Sequence, residues 1–500
     1  MKSYNREDLS VKDRISSTMF GSMVLFWVVI CLLFFLVRTR RPKNFPPGPQ
    51  PLPIFGNLLQ LCLENPMRDL ERLRLRYGNV FSLFFGSRPA VILNGTKAIR
   101  EALVTKASDF AGRPDELLLS HLTQGKAGGD HRRFALMTLR NFGLGKQSME
   151  DRILSEVEHV AAELEESNGK PINPKLLFHN ASCDIICSIM YGARYEYNHP
   201  FFQAMIKMMA ECSKIANGPW GMIYDTIPLL RGLPLPFRKV MNDHSYVKHH
   251  VKGIVAEHRA SRIPKQPRDV IDNYLDQMDK MEEGSVFDEE QMLATLLDLL
   301  FAGTDTTSNT ICFAVFYLTT HPDIQERCQR EIDHVCDGKE RVSFEDKDRM
   351  PFMQAVIQES QRFCSTLPLS VYHATTKDTE LLGYQIPKGT LVIQNLSSVL
   401  YEEGQWKFPH EFNPDNFLND QGELQKLEAF MPFSVGPRMC LGEGLARMEL
   451  FLVLVTLLRR FQLVWPEDAG LPDYTPVFGV TQAPRPFNMI FRPRENQSQH

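Results

Sequence analysis

No CxxC pair occurs among the ten cysteines, and Cys183 and Cys187, the nearest two, fall in a helix-like run. A disulfide-stapled secreted scaffold is therefore excluded, and the body of the chain reads as belonging to a reducing compartment. Neither charge sign is in excess. The 56 Lys and Arg against 60 Asp and Glu leave a net charge of −4, which argues against a chain built to hold nucleic acid. Past Phe55 no linker is long or polar enough to divide the 500 residues, so one body is expected. An apolar fraction of 43% with 33 Phe and 21 Met supplies a single large core of mostly helical type. No small-x-small cleavage site follows the apolar run near the N-terminus, and Glu7, Asp8 and Asp13 precede it. A cleaved secretion signal and a mitochondrial presequence both fit poorly.

That run, Met19 to Val37, is uncharged throughout. At about 1.5 Å per residue it reaches roughly 28 Å, enough to span a hydrocarbon core. Residues 1–18 read as a tail, 19–37 as a transmembrane anchor, 38–55 as a basic and proline-rich hinge, and 56–500 as the single folded domain. Four bases lie on each side of the run (Lys2, Arg6, Lys12 and Arg14; Arg38, Arg40, Arg41 and Lys43), so the positive-inside count is a draw. The tighter cluster after the run and the unpaired cysteines place the body in the cytoplasm. Pro46-Pro-Gly-Pro-Gln-Pro-Leu-Pro53 cannot continue a helix and forms a stiff spacer.

The most informative stretch is Phe433-Ser-Val-Gly436-Pro-Arg438-Met-Cys440-Leu-Gly442, which hands over to the helix pattern starting at Glu443. A helix start presents unpaired N–H groups and a positive dipole end, both of which lower a thiol pKa. Gly436 and Gly442 permit tight bending and close approach to something flat, and Arg438 offers a cation two residues from the sulfur. Taken alone, Cys440 could equally be a buried cysteine opening an ordinary helix.

The whole pattern, Phe-x-x-Gly-x-Arg-x-Cys-x-Gly, resembles the haem-binding signature of the cytochrome P450 superfamily. The resemblance implies a predominantly α fold with small β-sheets, preceded by one N-terminal transmembrane helix. It implies Cys440 as the thiolate ligand of haem iron, with Phe433, Gly436, Arg438 and Gly442 shaping the haem site. Haem b, O2 and NADPH electrons delivered by a membrane flavoprotein reductase follow, with cytochrome b5 as a second electron donor and a lipophilic substrate. Met137-Thr-Leu-Arg-Asn-Phe-Gly, Pro387-Lys-Gly-Thr390 and the run from Cys440 to Leu452 resemble the vertebrate microsomal second family. That implies the endoplasmic reticulum membrane with the catalytic domain in the cytoplasm.

Further segments match the family in chain order. Ala302-Gly303-Thr304-Asp305-Thr306 interrupts a long apolar helix, Leu293 to Thr319, where threonine is otherwise harmless filler. By resemblance, Asp305 and Thr306 deliver protons, Gly303 leaves room at the cofactor, and Phe301 and Ala302 face substrate. Glu359-Ser-Gln-Arg362 puts an acid and a base on one helix face. An isolated pair of this kind is usually a weak surface contact; the family holds it buried as a structural lock. The family's third member is a base, where this chain has Asn416. Arg132 matches the arginine that holds a haem propionate, whereas Gly128 stands in place of the expected tryptophan. His373 falls where relatives place a second propionate partner, beside Tyr372 in place of proline. Val371, Val480 and Thr481 are expected to touch substrate. Two other functions remain open: a haem-thiolate isomerase or dehydratase that needs no external electrons, and a non-catalytic haem sensor.

Overall fold

The structure, a computed structural model, describes residues 19, 20, 22–27, 29, 40–122, 129–141, 147–280 and 287–494. Apolar periodicity becomes helix through most of the chain. The longer helices are α1 (Met67–Tyr77), α2 (Gly129–Asn141), α3 (Gln147–Glu166), α4 (Lys175–Tyr191), α5 (Pro200–Ala216) and α6 (Pro219–Thr226). They continue with α7 (Pro236–Ser261), α8 (Val270–Met278), α9 (Glu289–Thr320), α10 (Pro322–Val335), α11 (Pro351–Cys364) and α12 (Glu443–Arg460). Helices α5, α6, α7, α10 and α11 open on proline, whose fixed φ and missing N–H suit a first turn.

The strands are β1 (Val80–Phe85), β2 (Arg88–Leu93), β3 (His373–Ala374), β4 (Thr379–Leu381), β5 (Tyr384–Ile386), β6 (Leu391–Gln394), β7 (Phe461–Val464) and β8 (Ile490–Pro493). Four form one sheet in the order β1-β2-β6-β3. Its registers pair Phe81 with Ile92, Ile92 with Ile393, and Val392 with His373, which fixes where His373 sits. The strand-like runs at 80–85 and 90–93 and the helices expected at 67–77, 293–319 and 352–363 are all present.

The long helix α9 carries the site. Asp288 caps it by accepting from the Gln291 N–H at 2.7 Å, and Glu289 and Glu290 suit the positive end of its dipole. Its many hydroxyls are poor helix formers, yet most bond back one turn. Thr304 donates to the Leu300 carbonyl at 2.8 Å, Thr306 to Ala302 at 2.6 Å, Ser308 to Thr304 at 2.8 Å and Thr310 to Thr306 at 2.7 Å. Helix α4 lies along α9 and sets the role of Gly303. A Cβ there would come within 2.9 Å of Ile186 Cδ1. Gly303 therefore lets the Ile186 side chain pack against the α9 backbone, where an added Cβ would force that side chain to shift.

Met19, Phe20, Met23 to Trp27 and Val29 carry exposed apolar side chains, and the described part of this run is helical. Among the described residues no helix is long and apolar enough to cross a membrane. Most of the expected span, residues 30–37 included, lies outside the described residues, as does Gly128.

Candidate active site

Cys440 sits where the loop meets α12. Its N–H closes the loop on the Phe433 carbonyl at 2.9 Å, and Met439 N–H bonds the Gly436 carbonyl at 3.1 Å. Gly436 is required by geometry. It has φ +79°, and a Cβ would lie 1.9 Å from the Leu103 carbonyl oxygen. Gly442 differs: its φ is an ordinary −90°, and an added Cβ would meet only the Cys440 sulfur, at 3.9 Å. Its lack of a side chain keeps the space beside the sulfur clear. Phe433 lies under the Arg447 guanidinium, 5.3 Å from ring centroid to Cζ.

The thiol departs from expectation. Burial pushes the Cys440 pKa up, and the Glu443 carboxylate adds to this. The Gly442 and Glu443 N–H groups and the Arg132 charge only partly offset it. Cys440 is nonetheless exposed to accessible space, so the sulfur is enclosed by protein while its own face stays open. The helix start alone does not produce a thiolate here; a bound cation would.

Cations gather nearby. Arg132 donates to the Met439 carbonyl, and Arg438 Nε donates to the Ala111 carbonyl at 3.2 Å. Arg113, which the sequence reading missed, donates to the Val371 and Tyr372 carbonyls at 3.1 and 2.8 Å. Burial first, then the Arg438 and Arg132 charges, pull Arg113 down to about 10. None of the three guanidinium groups has a carboxylate partner among the described residues. His373 Nδ1–H donates to the Phe110 carbonyl at 2.7 Å. Burial and the Arg113 charge push its pKa down to about 3. It is therefore neutral at physiological pH in this structure, and the arginines alone carry positive charge. The signal for Arg113 was a lone base in the loop Phe110-Ala-Gly-Arg-Pro114, which spacing does not distinguish from a solvated one.

On α9, Ala302 is exposed, and Phe301 and Thr306 are half-buried, on a face opening to accessible space. The structure separates Thr306 from Asp305. Asp305 is 3% exposed and points toward α4 and the C-terminal turn. Its Oδ1 lies 3.3 Å from His179 Nε2, and its Oδ2 accepts from the Thr481 hydroxyl. Burial raises the Asp305 pKa, but the His179 bond and charge, with the Thr481 and Ser213 hydroxyls, outweigh it and leave a net lowering. Thr481 also bonds Ser213 Oγ at 2.9 Å and Asn309 Nδ2 at 3.3 Å, and Val480 N–H bonds the Ser213 carbonyl at 2.8 Å. Both are buried in this contact, whereas Val371 is exposed. Asp298 also escaped the sequence reading. It lies one turn before Ala302 and two before Thr306 on the same helix face. It is half-buried, and burial alone lifts its carboxyl to about 7.

The Glu359–Arg362 pair is wholly buried and bidentate, at 2.7 and 2.8 Å. Arg362 also donates to the carbonyls of Leu400, Pro409 and Glu411, each at 2.8 Å. Asn416 Nδ2 reaches both Glu359 oxygens at 3.2 and 3.3 Å, and its Oδ1 accepts from the Phe408 N–H at 2.8 Å. An uncharged third member thus completes the hydrogen bonding, and the buried charges balance one to one.

These residues fit a flat group with two carboxylates and a metal at its centre. A thiol faces clear space, a glycine keeps that space open, and unpaired arginines supply the countercharge. Comparison with known proteins agrees. The cytochrome P450 family model matches residues 46–491. The chain is 40% identical over 491 residues to cytochrome P450 2D15 of Canis lupus familiaris, covering 95% of this chain and 98% of that protein. It is 38% identical over 487 residues to cytochrome P450 2F1 of Homo sapiens, covering 94% and 98%. With cytochrome P450 2B4 of Oryctolagus cuniculus it shares 38% over 484 residues, covering 94% and 99%.

Proposed function

The chain belongs to the cytochrome P450 family, and from that premise we propose that it is a membrane-anchored monooxygenase acting on a lipophilic substrate. It is an oxidoreductase that uses haem b, O2 and electrons from NADPH through a reductase. Bound haem supplies dioxygen activation, with one oxygen atom entering the substrate and the other leaving as water. Cys440 is the residue proposed to hold the iron, and Arg113, Arg132 and Arg438 the haem carboxylates. His373, whose Nδ1–H is spent on the Phe110 carbonyl, can hold a haem carboxylate at Nε2 only by gaining a proton there when that carboxylate is bound. Thr306 keeps a hydroxyl at the open face of α9, with lone pairs free to take up a proton. Asp305 acts through position, fixing α9 against α4 and the C-terminal turn. Phe301, Ala302 and Val371 shape access for substrate.

The observation that carries this reading is the donor set at Cys440, an open-faced sulfur beside arginines without acids. The uncharged run at 19–37 supports a single-pass anchor in the endoplasmic reticulum membrane, with the body in the cytoplasm. The test is reconstitution with NADPH and a flavoprotein reductase across fatty acids, steroids and lipophilic foreign compounds. Oxygenated product that requires both components is expected. Product formed without either points to an isomerase or dehydratase, and no product from any compound points to a haem sensor.

A further inference from the structure

Helix α7 ends at Ser261, and α8 begins at Val270. Between them Arg262 is extended, with φ −68° and ψ 152°, and residues 263–268 are all exposed, as is Ser261. Bases flank the serine on both sides, Arg259 before it and Arg262 and Lys265 after it. An Arg-x-Ser triplet alone is common on solvated faces and carries little weight. The second observation is Arg268, which comes back from beyond Pro264 and Pro267. Its Nη1 and Nη2 both donate to Ser261 Oγ, each at 3.3 Å, and among the described residues nothing else bonds that hydroxyl.

The Arg268 guanidinium has two edges in different use. Nε reaches Asp272 Oδ2 at 2.6 Å and Nη2 reaches Oδ1 at 3.0 Å, so one edge holds a buried carboxylate. The other edge, Nη1 with Nη2, meets only the neutral serine oxygen, although this fork matches two oxygens of a phosphate. The neighbouring arginines are committed: Arg259 to Glu289 at 3.0 Å, and Arg262 to Asp276 at 2.7 Å and to Asp279. We propose that Ser261 is a phosphorylation site, modified by a serine/threonine kinase that selects serines flanked by bases. The γ-phosphoryl of ATP moves to Ser261 Oγ: an Oγ–P bond forms, the bond to the β-phosphate oxygen breaks, ADP leaves and the hydroxyl proton goes to the kinase's base. A helix end frays readily and the chain past it is already extended, which suits a kinase cleft. The phosphoryl oxygens take the open edge of Arg268 while Asp272 keeps the other, so one guanidinium ties the end of α7 to α8. A dianion at a helix C-terminus opposes the dipole, and Arg268 is the group that offsets it. The proposal rests on the cytoplasmic placement of the body, where ATP-dependent kinases act; labelling the purified chain tests the site separately from that placement.

The test incubates the haem-loaded full chain in lipid nanodiscs with ATP and the catalytic domain of a protein kinase C, then maps phosphate by peptide mass spectrometry. Ser261 should be the main site in the wild type, a result that needs no variant. Ser261→Ala should lose most of the incorporated phosphate, and Arg259→Ala should slow incorporation several-fold. Arg268→Lys keeps a charge for Asp272 but not the fork. It should be labelled at the wild-type rate and then lose its phosphate to a phosphatase several-fold faster. No incorporation, phosphate confined to Ser155 or Ser343 (which also follow bases), or incorporation undiminished in Ser261→Ala would overturn the inference. Equal phosphatase rates for wild type and Arg268→Lys would overturn the part given to Arg268.

Discussion

His179 Nε2 and Asp305 Oδ1 meet 3.3 Å apart in the core, joining α4 to α9 on the side away from Thr306. Asp305 has a lowered folded pKa, so its stabilisation is fully present above the unfolded value of about 4 and is lost as pH falls through the folded value. Asp305→Asn should therefore cost roughly 3–5 kcal/mol at neutral pH. The gap from wild type in thermal unfolding should narrow as pH drops below about 4. A gap constant from pH 8 to pH 3 would show that charge is not involved.

Thr306 and Thr304 make the same back-bond, but only Thr306 faces accessible space. Thr306→Ala should lower product formed per NADPH by roughly tenfold or more, within the range of lost acid–base assistance. Thr304→Ala should leave that ratio near wild type. Equal ratios for both variants would remove Thr306 from proton handling.

Removing Glu359 leaves Arg362 buried and unpaired, so Glu359→Gln should cost roughly 3–5 kcal/mol and reduce haem retention. Asn416→Ala removes bonds to Glu359 and Phe408 but no charge, and should cost roughly 1–3 kcal/mol. Chemical denaturation of the pair ranks them. An Asn416 loss matching the Glu359 loss would contradict a neutral bridging role.

Glu449 on α12 is 2% exposed, and burial lifts its carboxyl to about 8. A carboxyl raised in the fold loses stability as pH climbs from about 4 through its folded value. Glu449→Gln should flatten that slope and stabilise the protein by roughly 3–5 kcal/mol at pH 9. A variant less stable than wild type at pH 9 would mean that the ionised form is accommodated.

Local pattern made α9, α11, α12 and the β1–β2 pair legible, because apolar period and turn residues are short-range signals. Cys440, Glu359 and Arg362 were readable because their spacing is rigid. Orientation was not. Asp305 and Thr306, adjacent on one helix, face about 100° apart, and the packing of His179 and Thr481 decides which of the two is buried. Arg113 meets the site through a neighbour more than a hundred residues away, the Val371 carbonyl. The pKa of Cys440 reversed expectation because burial, which no local motif reports, outweighs the helix start.

The most direct measurement is the carbon monoxide difference spectrum of the reduced, haem-loaded protein beside its Cys440→His variant. Thiolate ligation gives the wild type the red-shifted band that defines the family, and the variant loses it. An imidazole-type spectrum from the wild type, or an unchanged band in the variant, would place the iron on another residue.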